Sequence, residues 1–548
     1  MAVVANPRTR RTSLVLALLT FSAACATAAP EGRPGEDPVE DPVDGGTVTF
    51  AVDREPNCLD PHVSPAEMTA VIGRNVFDSL VAQDPSGGFH PWLARSWQVS
   101  PDLRTYTFDL RDDVRFHDGT PLDAAAVKAT FDRIADPATK SLYAAAMLGP
   151  YEGTTVVDAD TAEVRFSRPF APFLQAASTT YLGIASPKAL TDFAGSLCDH
   201  LVGSGPFAYE RHVHQQEVSL TRNTDHTWAP EGRRAGPARL DRLVFRFVPE
   251  SATRLGGLTS GQVDAASAIP VDAVEGVRAD SALEFHQAQV QGAAETLYLN
   301  TSRAPFDDVR VRVAVQRGID VEGLVRSVYF GQRERAWSIL TPATPHYDPA
   351  TEHTWGHDRA LAERLLDEAG WTGRDAEGYR TKGGARLVAK WPHTEAQAST
   401  ERRGTLAQAI QAQAKELGID VQRTPVQAGA LYQMVEKADY DLTDTSWTRA
   451  EPDILRSFLS SDHVPPAGEN YSRARDGELD SWLADAAATG DEDARRSLYA
   501  RAQQRVVRDA LAVPLYVPLQ AVGAARAVRG LAFDPAGFPL FHDVWLRR

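Results

Sequence analysis

Beyond its N-terminal segment the chain has no apolar run near the roughly 18 residues of a membrane-spanning helix. Any attachment to a bilayer must therefore begin at the N-terminus. The short signatures of common catalysis are missing too: there is no HExxH, no GxSxG, no P-loop and no dinucleotide-binding glycine fingerprint. Carboxylates are abundant, so for any given pair a place on the solvated surface outweighs an acid/base role. Positive charge is in deficit, with 57 Lys and Arg against 73 Asp and Glu, a net charge of −16. The first 24 residues hold Arg8, Arg10 and Arg11 and no acid, so the remainder of the chain stands at −19. Such a surface repels phosphate backbones and excludes nucleic acid as a partner. Cysteine is scarce, at three residues.

At 548 residues the chain is too long for one hydrophobic core and calls for two or more domains. The N-terminus reads as an export signal over 1–25: Arg8-Thr9-Arg10-Arg11, the apolar Leu14 to Leu19, then Ser22-Ala23-Ala24-Cys25. Cys25 sits where a bacterial lipobox places the cysteine that is lipidated, although Ser22 stands where Leu is usual. Cleavage at Ala26-Thr27-Ala28 is the alternative, and Arg10-Arg11 leaves twin-arginine export open. Residues 26–46 are rich in Pro, Gly and acids and read as a flexible stalk. With Cys25 lipidated or removed, Cys58 and Cys198 remain, an even number that favours a disulfide in an oxidising compartment over two buried thiols.

From Thr47 onward strands and helices alternate. Thr47 to Ala51 and Leu243 to Val248 read as strands, and Tyr106, Phe108 and Leu110 alternate with polar residues. Val321, Leu324, Val325 and Val328 share a helical face. So do Leu361, Leu365, Leu366 and Ala369 before Gly370, and Leu406, Ile410, Ala414 and Leu417 before Gly418. Helices feeding strands in this way predict an α/β fold. Two histidine spacings could hold a metal: His212 with His214 on one side of a strand, and His353 with His357 on one side of a helix. Neither has a third histidine or a cysteine nearby, so surface positions are preferred and no metal or cofactor is expected.

A series of segments in order resembles the family 5 extracellular solute-binding proteins of bacterial ABC importers. They include Leu59-Asp60-Pro61, Pro91 to Trp97, and the block Leu110 to Leu122 with its His117-Asp118-Gly119 turn. Gly203-Ser204-Gly205-Pro206-Phe207, Ser260 to Asp264, Pro305 to Arg312, Ala362 to Trp371 and Val513-Pro514-Leu515 come next in the same order. The resemblance implies a two-lobed periplasmic-binding-protein-like α/β fold with a hinge and an interlobe cleft. Lobe I would take 47–292 and 516–548, and lobe II 293–515. It implies a monomeric, extracytoplasmic, non-catalytic protein that captures a peptide or other small solute and delivers it to a membrane permease. The lipid on Cys25 would tether it outside the plasma membrane. A secreted hydrolase or metalloprotein, or a sensor domain, would share the architecture. The ligand loop implied is Ser446, Trp447, Thr448, Arg449 and Glu451. Peptide binders of the family carry an Asp three residues after that Trp to hold the peptide amine; here the position is Ala450. Arg449 would then meet a carboxylate and Glu451 an amine.

Overall fold

Val48, Phe50, Ala51 and Val52 are all buried, and the strand they form, Thr47–Val52, lies at the heart of a seven-stranded sheet. It does so in a computed structural model that describes residues 41–141, 143–399 and 402–547. The export signal with Cys25, and the stalk as far as residue 40, lie outside these residues. The end of the expected stalk is already bonded into the fold, Gly45 N donating to Arg239 O (2.7 Å) and Gly46 N to Asp241 Oδ2 (2.9 Å).

Burial on both faces suits a parallel strand. Thr47–Val52 pairs in parallel with Arg242–Phe247, Phe50 opposite Phe245, and with Ala265–Ser267 on its other side. Antiparallel strands complete the sheet: Glu217–Arg222 and Phe207–Val213 at one end, Leu519–Ala525 and Leu283–Gln289 at the other. A four-stranded antiparallel sheet carries Thr105–Leu110, with Tyr106, Phe108 and Leu110 turned inward as their alternation predicts. One hydrophobic core gathers residues from Val48 to Phe247 together with Val522 to Val544. Two others are drawn almost wholly from Ala293 to Tyr516, around the sheet Leu442–Thr448, Gly292–Leu299, Ala512–Tyr516. Between the two groups the chain passes at 290–291 and at 517–518. The two passages lie side by side, Val290 N donating to Pro518 O at 3.2 Å.

The periodic helices form as read. Val321–Val328, Arg359–Glu368 and Arg403–Leu417 are helical, the last ending on Gly418 with its φ of +85°, a left-handed cap that glycine adopts at least cost. The expected helix at His353 to His357 is absent; the segment is a turn, with His353 at φ +58° and Trp355 buried against Trp337. Two of the sequence blocks meet in space. His117 N donates to Gly203 O (2.8 Å) and its ring contacts Gly205 O (2.9 Å). A Cβ on Gly203 would lie 2.1 Å from Val76 O, so this crossing admits only glycine. Cys58 and Cys198 are joined by a disulfide with Cα atoms 4.5 Å apart, beside the Leu59 N to Cys198 O bond of 3.1 Å.

Candidate functional site

Strand Leu442–Thr448 pairs with Gly292–Leu299, and the pairing ends at Gly292. Gly292 has φ +133°, and a Cβ there would lie 2.1 Å from Trp447 O. Only glycine lets the 447–449 backbone pass this closely. Arg449 N then bonds Gln291 O at 2.9 Å, and Thr448, Arg449 and Ala450 emerge on the wall of a cavity of about 440 Å³. The facing wall comes from the first core, with Arg74, Trp92, Tyr143 and Tyr181, and from the C-terminal segment, with Asp534 and His542.

The two walls touch directly. Tyr143 Oη donates to Thr448 O (3.3 Å), Gln83 Nε2 to Ala450 O (3.4 Å), and Thr448 Oγ1 to Glu67 Oε1. The Tyr143 ring stands 5.2 Å from Trp447 and edge-on, 4.7 Å, to Tyr181.

Charge in the cavity is unevenly compensated. Arg449 is 4% exposed, yet among the described residues its Nε and Nη2 have no hydrogen-bond partner. A buried guanidinium without an acceptor is costly, and its geometry matches a carboxylate. Arg74 is satisfied by contrast, donating to Ser79 Oγ (2.9 Å) and Ser178 O (2.8 Å) while stacking 4.9 Å over Trp92. Asp534 is half-buried, accepts from Phe538 N at 2.8 Å and makes no ion pair among the described residues. Burial pushes its carboxyl up to about 6 against the pull of that N–H and of Arg74. Asp78 behaves in the opposite sense. Burial alone would raise it, but His226 and the donors Trp228 Nε1 (2.7 Å) and Ser204 Oγ (3.0 Å) outweigh burial and keep it ionised.

Of the ligand loop read from the sequence, Thr448 and Arg449 line the cavity, and Ser446, Trp447 and Glu451 do not. Trp447 backs the wall, packed against the core and Tyr143. Glu451 is committed elsewhere: it is 4% exposed and bonded to Arg495 Nη2 at 2.6 Å, the counterion that this buried arginine requires. Asp453 is similarly engaged by Arg456 at 2.8 Å. Beneath the strand, Arg403 Nη2 holds both Glu295 (2.6 Å) and Asp444 (2.9 Å), and burial pushes Glu295 up to about 8. Arg74, Tyr143 and Asp534 were not legible in the sequence; only the Asp-Pro-Ala-Gly turn at 534–537 offered a local signal, and that signal is conformational.

Residues 88–466 match the family described as "Bacterial extracellular solute-binding proteins, family 5 Middle". The chain belongs to that family. Its curated relatives include the glutathione-binding protein GsiB of Shigella dysenteriae serotype 1, 27% identical over 512 residues, 91% of this chain and 94% of the relative. GsiB of Escherichia coli O157:H7 is 26% identical over the same shares. Among solved structures, NikA from Brucella suis in complex with Fe(III)-EDTA superposes with a TM-score of 0.81 at 24% identity, covering 92% of this chain and 100% of that one. DppA from Helicobacter pylori with the peptide STSA gives 0.78 at 24% identity, covering 92% and 99%. The fold is thus the two-lobed one of the periplasmic binding proteins, and this family 5 protein is an extracellular solute-binding protein.

Proposed function

We propose that this cleft captures a small zwitterionic, peptide-like solute, its carboxylate on Arg449 and its amine on Asp534, and hands it on to a permease unchanged. The buried guanidinium of Arg449, lining the cavity with two N–H-bearing nitrogens unpartnered, carries the reading. With Ala450 at the usual amine anchor, Glu451 held by Arg495, Asp84 by His90 and Asp543 by Arg234, Asp534 is the half-buried carboxylate in the cavity left to meet a cation. The glutathione-binding relatives agree in chemistry, since glutathione carries carboxylates and an amine. Lobe I would be 47–292 with 516–548 and lobe II 293–515, hinged at the paired passages, so closure needs only differential affinity of two states.

The test is calorimetric titration with glutathione and dipeptides, each free and C-terminally amidated. Amidation is expected to weaken binding about tenfold or more, the loss of a charge-assisted pair. Equal binding of free and amidated forms would discard the carboxylate assignment. Asp534 sets the pH dependence. Its carboxylate is ionised above about pH 6, so affinity is expected to fall as pH drops from 7 to 5. Asp534→Asn should bind weakly at both pH values, and an unchanged profile in that variant rules out the amine contact.

The protein would act outside the plasma membrane as a monomer, tethered through lipid on Cys25. Cys25→Ala should release it into the medium; wild-type protein found free and starting at Ala29 would count against the tether.

A further inference from the structure

We propose that Glu55, His212 and His214 form a binding site for a divalent metal ion of the zinc type, outside the solute cavity. None of the three lines that cavity. His212 is near the end of strand Phe207–Val213 and His214 opens the turn after it, so the strand period puts both rings on one face, 4.2 Å apart. The third ligand arrives from the segment after Thr47–Val52. Glu55 Oε2 is pinned by Gln215 N (2.9 Å), which leaves Oε1 between His212 Nε2 (2.7 Å) and His214 Nδ1 (3.1 Å). The three ligand atoms all lie within 4.8 Å of one another.

Two features distinguish this cluster from a chance surface pair. First, His212 is a fixed ligand, its side chain 4% exposed and its other nitrogen, Nδ1, facing Asp199 Oδ1 at 2.9 Å. A carboxylate on the far nitrogen orients a metal-binding imidazole and selects the tautomer whose lone pair faces the ion. The same Asp199 oxygen is 3.7 Å from His214 Nε2. Second, the Cys58–Cys198 disulfide ties together the two segments that carry Glu55 and Asp199.

Metal bonds of about 2.0–2.2 Å in tetrahedral geometry place ligand atoms about 3.4 Å apart. From 2.7 Å to His212 Nε2 and 3.1 Å to His214 Nδ1, Glu55 Oε1 reaches that spacing by drawing back about 0.7 Å from the fixed His212, while His214, 72% exposed, adjusts about the ion. That same exposure leaves room for water in the remaining position. Two imidazoles and one carboxylate suit zinc and its neighbours and discriminate against calcium and magnesium, which prefer oxygen.

The full chain, purified without a histidine tag and stripped with chelator, should be titrated calorimetrically with zinc and with magnesium. One zinc per chain at micromolar concentration, no magnesium, and a melting temperature raised by zinc are expected. His214→Ala, at an exposed position that spares the fold, should weaken zinc binding by more than about tenfold and remove the thermal shift. Asp199→Asn should weaken it less, and His353→Ala with His357→Ala should leave it intact. Absence of stoichiometric uptake, or undiminished binding by His214→Ala, overturns the site. Because the site stands apart from the cavity, the zinc result and the solute titrations succeed or fail separately.

Discussion

Arg449→Ala is expected to lose the solute by thirtyfold or more while melting no lower than the parent protein. Truncating one partner of a desolvated charge pair costs about 2–5 kcal/mol of binding, which is this fold-change or greater. Stability moves the other way, because the substitution removes a guanidinium whose Nε and Nη2 are buried without acceptors. The combination is diagnostic. A residue that merely packs the wall would lose stability together with affinity. Arg449→Lys should recover only part of the binding, since an ammonium cannot form the two-pronged pair with a carboxylate. Calorimetric titration and thermal unfolding of the three proteins decide it. Parent-like affinity in Arg449→Ala would remove this residue from the site.

Removing the Cys58–Cys198 bridge is the largest stability change expected of the chain. The cysteines are 140 residues apart, and freeing a loop of this length in the unfolded state costs about 5 kcal/mol on the chain-entropy argument. The double variant Cys58→Ser with Cys198→Ser avoids leaving a single thiol. Its urea midpoint should fall by about 1 M, since the slope of about 1–3 kcal/mol per molar for small proteins is larger for a chain of this size. On unfolding without reductant, the parent's Cys58 and Cys198 should both resist a thiol reagent. A double variant with the parent's midpoint would show that the bridge contributes nothing.

Much of the scaffold was legible because short-range patterns and long-range packing agree in it. Tyr106, Phe108 and Leu110 alternate in the sequence and point inward in the sheet. Leu406, Ile410, Ala414 and Leu417 are buried on one helical face. The His353 to His357 spacing failed for want of that agreement: two histidines four apart fit a helix but carry no apolar period, and the buried Trp355 holds a turn. The loop at 446–451 is singled out by family likeness alone, and the expectation that Glu451 meets an amine misses its bond to Arg495, because that partner lies 44 residues away. The facing wall was beyond reach for the same reason. Arg74, Tyr143 and Asp534 are brought together by tertiary packing, and apart from the turn that Asp534 opens nothing local marks them. Glu55 joins His212 across 157 residues, which is why the histidine pair looked incomplete in the sequence.

The contacts that bridge the cleft, from Tyr143 to Thr448 and from Gln83 to Ala450, exist only when the walls meet. If the lobes open and close as proposed, these contacts would weight the closed form whatever solute is offered. Apparent affinity is intrinsic affinity scaled by the closed fraction, so loosening these contacts by about 1.4 kcal/mol would cost up to tenfold for all solutes alike. On the proposed reading, Arg449 and Asp534 would set which solute is preferred, and the bridging contacts of Tyr143 and Gln83 would set how dilute it can be. The capture threshold would then be tuned chiefly by how firmly the walls meet, and solute choice chiefly by the charged groups between them.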